Sequence, residues 1–326
     1  MSNNRHKRSQ KAMATVLGVV AIFAITWGLT PSPLASLPAT PELPADLDDY
    51  LAASESAAHS RFPLIPETGK RIRWQAPGEK TEWAVVYLHG FSATRQEIAP
   101  ATEMIADRLG ANLFETRLTG HGRENGVMHE TTADDWLADA AEALAIGHRI
   151  GDRVILMGTS TGATIALAMA EHPLMQQVDS IVLVSPNFAP ADPKSRWLTR
   201  PAGPLIARIL VGDTRSFEPL NAEQERYWST TYPTASIIEV MRVVDRANSV
   251  ASRYFPQDML MLISPDDRVV SVQAAIDGFS RITARSKKTI EFKSSTDPSS
   301  HVLGGRILSP GSTEELVDVI VDYVLR

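Results

Sequence analysis

The segment "RVILMGTSTGATIALAMA", residues 153–170, places one serine between two glycines where an apolar run gives way to an alanine-rich one. A strand over 154–157 that reverses into a helix would leave Ser160 at the tip of the turn. Gly158 and Gly162 then remove Cβ atoms where strand and helix come closest. The pattern G-x-S-x-G is that of a nucleophile elbow, which lifts a serine oxygen clear of the sheet. A serine hydroxyl is a weak nucleophile without a base. Where a base and an acid serve such an elbow, they follow it in chain order, acid before histidine.

That order selects among eight histidines. Only His301 follows Ser160 with an acidic segment between and a strand, "KTIEFK", just before it. His172 ends the helix that would carry Ser160, which points it away from the tip. The acid is expected in "MLMLISPDDRVVS", where Asp266 and Asp267 follow a strand and one of them is a turn residue. Its carboxylate would orient the imidazole and stabilise the imidazolium. A tetrahedral intermediate also needs donors for its oxyanion. The Thr161 amide, next after the serine, is one. Phe91, in the loop after "WAVVYLH", is the other. His89 in that loop and His121 in "LTGHGRENG" are read as structural.

These residues need a sheet to position them. Short apolar segments, "WAVVYLH", "NLFETRL", "RVILM", "SIVLVS", "MLMLIS" and "KTIEFK", alternate with helical patterns such as "EIAPATEMIADRL" and "TADDWLADAAEALAIGHRI". Such alternation predicts a mostly parallel sheet covered by helices on both faces. "TEELVDVIVDYVL" closes the chain as a helix. Residues 187–257, between "SIVLVS" and "MLMLIS", far exceed the dozen or so that a crossover needs. They are read as a cap over the carboxyl ends of the strands, where open α/β sheets bind ligands, or else as a peripheral decoration. Trp197, Tyr227, Trp228, Tyr232 and Tyr254 give this interval an aromatic character suited to an apolar acyl or alcohol group.

Four elements in order, "LHGF", "GHG", "GTSTG" and "DDRVV" followed by "SSH", resemble the α/β-hydrolase fold. Within it the chain is similar to bacterial carboxylesterases and monoacylglycerol lipases with a helical cap, over roughly residues 71–326. In that family the acid is followed by one residue and then two apolar ones, a spacing that marks Asp267. The absence of H-G-G-G disfavours the hormone-sensitive-lipase type. Serine rather than aspartate at the elbow disfavours the dehalogenase and epoxide hydrolase branches. The resemblance implies a serine hydrolase of carboxylic esters acting through an acyl-enzyme on Ser160, Asp267 and His301, with no metal or organic cofactor. An acyltransferase on the same triad and a non-catalytic binding protein on the same fold are the alternatives.

The chain of 326 residues is 44% hydrophobic, with a mean hydropathy of −0.10 and no cysteine. Its one anomaly is "AMATVLGVVAIFAITWGL", residues 12–29, eighteen without a charge. At 1.5 Å per residue these span about 27 Å, enough to cross a bilayer core. Arg5, Lys7, Arg8 and Lys11 precede it, while only acids follow as far as Arg61, so the positive-inside rule puts the body outside the cytoplasm. A cleaved signal or a buried helix are the other readings. The expected organisation is a basic tail (1–11), a transmembrane anchor or signal (12–29), a semi-extended Pro-rich spacer (30–66) with one short helix around "LDDYLAASESAAH", and a hydrolase domain (67–326). Four of the 32 basic residues lie in the tail, leaving 28 against 38 acidic ones, a net charge near −10. Such an acidic body argues against nucleic acid as a partner.

Overall fold

A computed structural model describes residues 33–34, 36–123, 128, 131–200 and 203–326. The apolar segment 12–29 and its basic tail lie outside the described residues. Among the described residues no helix is long and apolar enough to cross a membrane.

The centre is a seven-stranded sheet in the order β1-β3-β2-β4-β5-β8-β9. Its strands are β1 (Arg71–Arg73), β2 (Thr81–Leu88), β3 (Asn112–Glu115), β4 (Gly151–Thr159), β5 (Val178–Val184), β8 (Tyr254–Ile263) and β9 (Thr283–Glu291). Every pairing is parallel except β1 with β3. The middle strands are apolar on both faces because both faces are covered: Ala84, Val85, Val86, Tyr87 and Leu88 are all fully buried in succession. Both edges are charged. β9 carries Arg285, Lys287 and Lys288, and on β1 Arg71 pairs with Glu115 at 2.6 Å.

Two apolar layers flank the sheet. On one face Ile105 and Ala106 of α2 (Ala101–Leu109) meet Leu316 and Ile320 of α9 (Thr313–Val324). The other face holds α3 (Ala133–Ile150), α4 (Thr161–Ala168), α7 (Thr234–Val250) and α8 (Val272–Arg281), with Trp136, Leu144, Ile165, Val243 and Phe279 in one core. Thr132 and Asp135 close a reciprocal cap at the start of α3. The interval expected to form a cap therefore divides. Its last helix, α7, belongs to the body and packs on α4. In the earlier part, α5 (Gly203–Val211) packs on α7, while β6 (Thr214–Ser216), α6 (Ala222–Tyr227) and β7 (Thr231–Pro233) stand above the strand ends.

Residues 36–66, read from composition as a spacer, lie against the body. Their α1 (Leu47–Arg61) buries Leu47 and Leu51, one turn apart, in the α3 core. Tyr50 donates to Glu142 at 2.6 Å, and Arg117 grips Glu55 through two bonds of 2.8 and 2.9 Å. A Pro-rich stretch has few ladder partners, so its carbonyls are free to accept from elsewhere. Arg149 takes those of Pro44 and Ala45, and Arg246 takes that of Leu34 at 2.9 Å. The strap is thus part of the folded unit. Leu51→Ala should lower unfolding free energy by about 2–3 kcal/mol in a urea titration. A loss below about 0.5 kcal/mol would mean that α1 does not hold this position in solution.

Candidate active site

Ser160 sits between β4 and α4 with φ +53° and ψ −116°, a backbone conformation that a side-chain-bearing residue adopts only under constraint. The constraint is visible at both flanking glycines. A Cβ on Gly162 would lie 2.0 Å from the Leu88 carbonyl oxygen, and one on Gly158 would lie 2.5 Å from the Ala163 nitrogen. No larger residue fits either position without moving backbone. The Ser160 amide donates to the Val184 carbonyl at 2.8 Å, which ties the turn to β5.

His301 follows β9 in a loop organised by Asp297. Oδ2 of Asp297 accepts from the His301 and Val302 amides at 3.0 and 2.9 Å, and Ser185 Oγ holds the His301 carbonyl at 2.7 Å. The imidazole Nδ1 lies 2.8 Å from Asp267 Oδ2. An ionised carboxylate only accepts, so Nδ1 carries the proton and Nε2 keeps its lone pair. The other oxygen of Asp267 accepts from the Val269 and Val270 amides at 2.8 and 3.0 Å, which is the physical content of the D-x-V-V spacing. Asp267 is buried and Asp266 exposed. Burial works against a charged His301 ring. The hydrogen bond and charge of Asp267, with the charges of Glu97 and Asp297, outweigh it and raise the pKa above the ordinary 6.5.

Ser160, Thr161, Phe91 and His301 line one cavity of about 420 Å³. Neither the Phe91 nor the Thr161 amide is hydrogen-bonded to a described residue. The preceding amide, Gly90, is already taken by Glu97 Oε1 at 2.6 Å, which singles out Phe91 as the available donor of this loop. A larger cavity of about 730 Å³, beside Arg200, Asp245 and Arg281, contains none of these groups; chemistry rather than size selects the smaller one.

The two loop histidines act as staples. His89 Nε2 accepts from the Leu118 amide at 3.0 Å and its Nδ1 donates to the Gly90 carbonyl at 2.9 Å. His121 Nε2 accepts from the Ser92 amide at 3.1 Å, joining the same two loops in the opposite sense. Burial keeps both neutral, holding His121 down to about 4 and His89 well below its usual value. The Phe91 ring is wedged edge-on against His121, Trp136 and Tyr232. Of the aromatic residues anticipated for the cap, Trp228 and Tyr232 line the cavity and Tyr227 packs beneath it. Trp197 and Tyr254 are exposed and take no part in the lining.

Sequence reasoning missed Asp297 and Glu97. Asp297 carries a faint signal, an Asp-Pro-Ser turn four residues before the histidine. Glu97 carries none, since it reads as the solvated start of a helix. In the structure that helix begins at Ala101, and Glu97 closes a separate 3₁₀ turn (Arg95–Glu97) that points it inward. Among the described residues no cluster of histidines and carboxylates could hold a metal ion.

A family model described as "Serine aminopeptidase, S33" matches residues 79–295. The thermostable monoacylglycerol lipase of Bacillus sp. (strain H-257) is 26% identical over 211 residues, covering 65% of this chain and 81% of that protein. Among solved structures, one from a study of the metagenome-derived lipolytic enzymes LipS and LipT superimposes with a TM-score of 0.66 at 18% identity, covering 80% of this chain and 99% of that one. The monoacylglycerol lipase of Paleococcus ferrophilus gives 0.59 at 18% identity, covering 78% and 97%. The fold is that of the α/β hydrolases.

The geometry makes the two neighbouring aspartates separable without any assay. In an NMR titration the His301 ring should titrate above 6.5. Asp267→Asn removes the partner that favours the imidazolium, so the ring should then titrate lower. Asp266→Asn should leave it where it was. Equal shifts in the two variants would refute the pairing.

Proposed function

This chain belongs to the serine aminopeptidase S33 family of α/β hydrolases, with lipases and esterases among its relatives, and on that premise we propose that it hydrolyses carboxylic esters through an acyl-enzyme on Ser160. The observation that carries the proposal is the Asp267–His301 pair, whose histidine lines the same cavity as a serine held at a constrained elbow.

Ser160 Oγ attacks the ester carbonyl carbon while His301 Nε2 takes its proton. The carbonyl oxygen becomes an oxyanion facing the Phe91 and Thr161 amides. Collapse of the intermediate breaks the bond to the alcohol, which leaves with the proton from His301. Water repeats the sequence on the acyl-enzyme and releases the acid. Asp267 holds the imidazole in the tautomer that can accept and stabilises it once charged. The amides contribute most, because they are already oriented where negative charge develops. Phe217, Trp228, Ile237, Val240 and Leu308 in the lining favour an apolar acyl or alcohol group over a charged one.

We also propose, from residues 5–29 of the sequence alone, that the body is exported and held at the membrane. A reporter that functions only outside the cytoplasm, fused after residue 66, should be active and sediment with membranes. An inactive reporter would overturn the orientation.

The catalytic reading is tested with a fluorophosphonate, which labels only an activated serine. The wild type should label at Ser160 and cleave a series of neutral esters of increasing acyl length, whereas aminoacyl anilides should be poor substrates. Ser160→Ala should abolish labelling and turnover while changing stability by no more than about 1 kcal/mol. Residual hydrolysis near the wild-type rate would sink the assignment.

A further inference from the structure

One buried acid in the cavity has no part in the scheme above. Glu97 is 3% exposed. Its Oε1 accepts two hydrogen bonds, from the Gly90 amide at 2.6 Å and from the Tyr87 hydroxyl at 2.7 Å. Tyr87 is fixed in turn by Thr159 Oγ1 at 2.9 Å, the residue before the nucleophile. Oε2 is on the other side of the carboxyl. A methyl group built on Gly90 would lie 2.9 Å from Oε2 and 3.4 Å from Ser160 Cβ, so little more than one methyl's space separates the acid from the nucleophile. The cavity is open to both groups.

Oε1 is saturated by two donors, so a proton on this carboxyl belongs on Oε2. The Phe91 amide adjoins Gly90 along the chain, so the Glu97 carboxyl borders the loop that would supply one of the oxyanion donors. An ionised Glu97 would put a second negative charge next to the developing one, among side chains that are themselves buried. A protonated Glu97 offers a donor instead.

We propose that Glu97 works as a neutral acid: Oε1 clamps the Gly90 amide so that Phe91 faces the substrate, and Oε2–H donates to the substrate oxygen beside the two backbone amides. No proton is transferred in this role; the hydrogen bond strengthens as the oxygen gains charge. The inference rests on the serine-hydrolase reading of the same cavity.

The surroundings agree with this. Burial pushes Glu97 up to about 7 against the hydrogen bonds from Tyr87 and Gly90 and the charge of His301. The titratable groups facing it are Tyr87 from β2 and His301 from the loop after β9, while Asp267 and Asp297 face His301 from beyond. Glu97 and His301 therefore titrate as a pair, and their apparent pKa values belong to both. The working form has His301 neutral and Glu97 protonated, which makes turnover fall at both ends of the pH range.

The test is the pH profile of kcat on a neutral ester, for the full chain and two variants. Wild type should rise as His301 loses its proton and fall as Glu97 ionises, by about tenfold per pH unit beyond the falling limb. Glu97→Gln keeps an acceptor for Gly90 and a donor for the substrate but cannot ionise. It should stay within about threefold of wild type near neutrality and lose the falling limb while keeping the rising one, because Glu97 is already uncharged where His301 gives up its proton in the working form. Glu97→Leu supplies neither bond and should lose at least about tenfold at every pH. A wild-type profile that stays flat from neutrality to pH 9 overturns the proposal without any variant. So does a Glu97→Gln enzyme as impaired as Glu97→Leu. Fluorophosphonate labelling of all three proteins separates the two readings. Labelling with the wrong profile refutes the role of Glu97 alone, and no labelling of wild type refutes the nucleophile itself.

Discussion

The turn at Ser160 brings helix α4 so close to strand β4 and to the end of β2 that two positions can hold no side chain. That contact fixes much of what surrounds it. Gly162 lies on the carbonyls of Leu88 and His89, which sets α4 against the end of β2 and against the loop bearing Phe91. The strain at Ser160 is offset by packing elsewhere: its amide is bound to Val184, and α4 is buried along its whole length. A constrained turn persists only where its environment over-determines it. Here the over-determination comes from the parallel strands on both sides.

Around this turn the buried polar groups divide into charged and neutral ones, and the division has a structural logic. Asp267 is buried with two backbone amides and an imidazole, enough donors to keep a carboxylate in place. His89 and His121 each satisfy both ring nitrogens with backbone atoms and carry no charge, so they join loops without adding to the field at Ser160. Glu97 falls between these cases. It has two donors, neither of them cationic, and a neighbouring ring whose charge varies.

The parallel sheet and its helices were legible because strands buried on both faces and helices buried on one leave different periodicities. The elbow was legible because a turn this tight admits glycine alone at Gly158 and Gly162. Chain order pointed to His301. Spacing within the related family favoured Asp267 over Asp266, and the two valine amides on its carboxylate supply the reason. Other features left no local mark. Glu97 looks like any acid ahead of a helix until tertiary contacts turn it inward. The stretch ahead of the domain reads as a semi-extended spacer with one short helix, and its docking leaves no mark in the sequence because its partners Glu142, Arg149 and Arg246 are distant in the chain. The division of residues 187–257 between cap and body likewise depends on which face of α7 meets α4.

The strap also sets how mechanical load enters the molecule. A pull on the chain ahead of Leu34 meets first the apolar socket of that residue, then Arg246, whose guanidinium also holds the Ala168 carbonyl at the end of α4 and Glu171 beyond it. Farther along, Arg149 grips Pro44 and Ala45, and Arg117 grips Glu55. Force applied at Leu34, Pro44 and Ala45 is shared among three helices seated on the sheet before it reaches Glu55, whose partner Arg117 lies in the same loop as His121. Such an arrangement behaves as a strain relief, the clamp that keeps tension on a cable away from its connections.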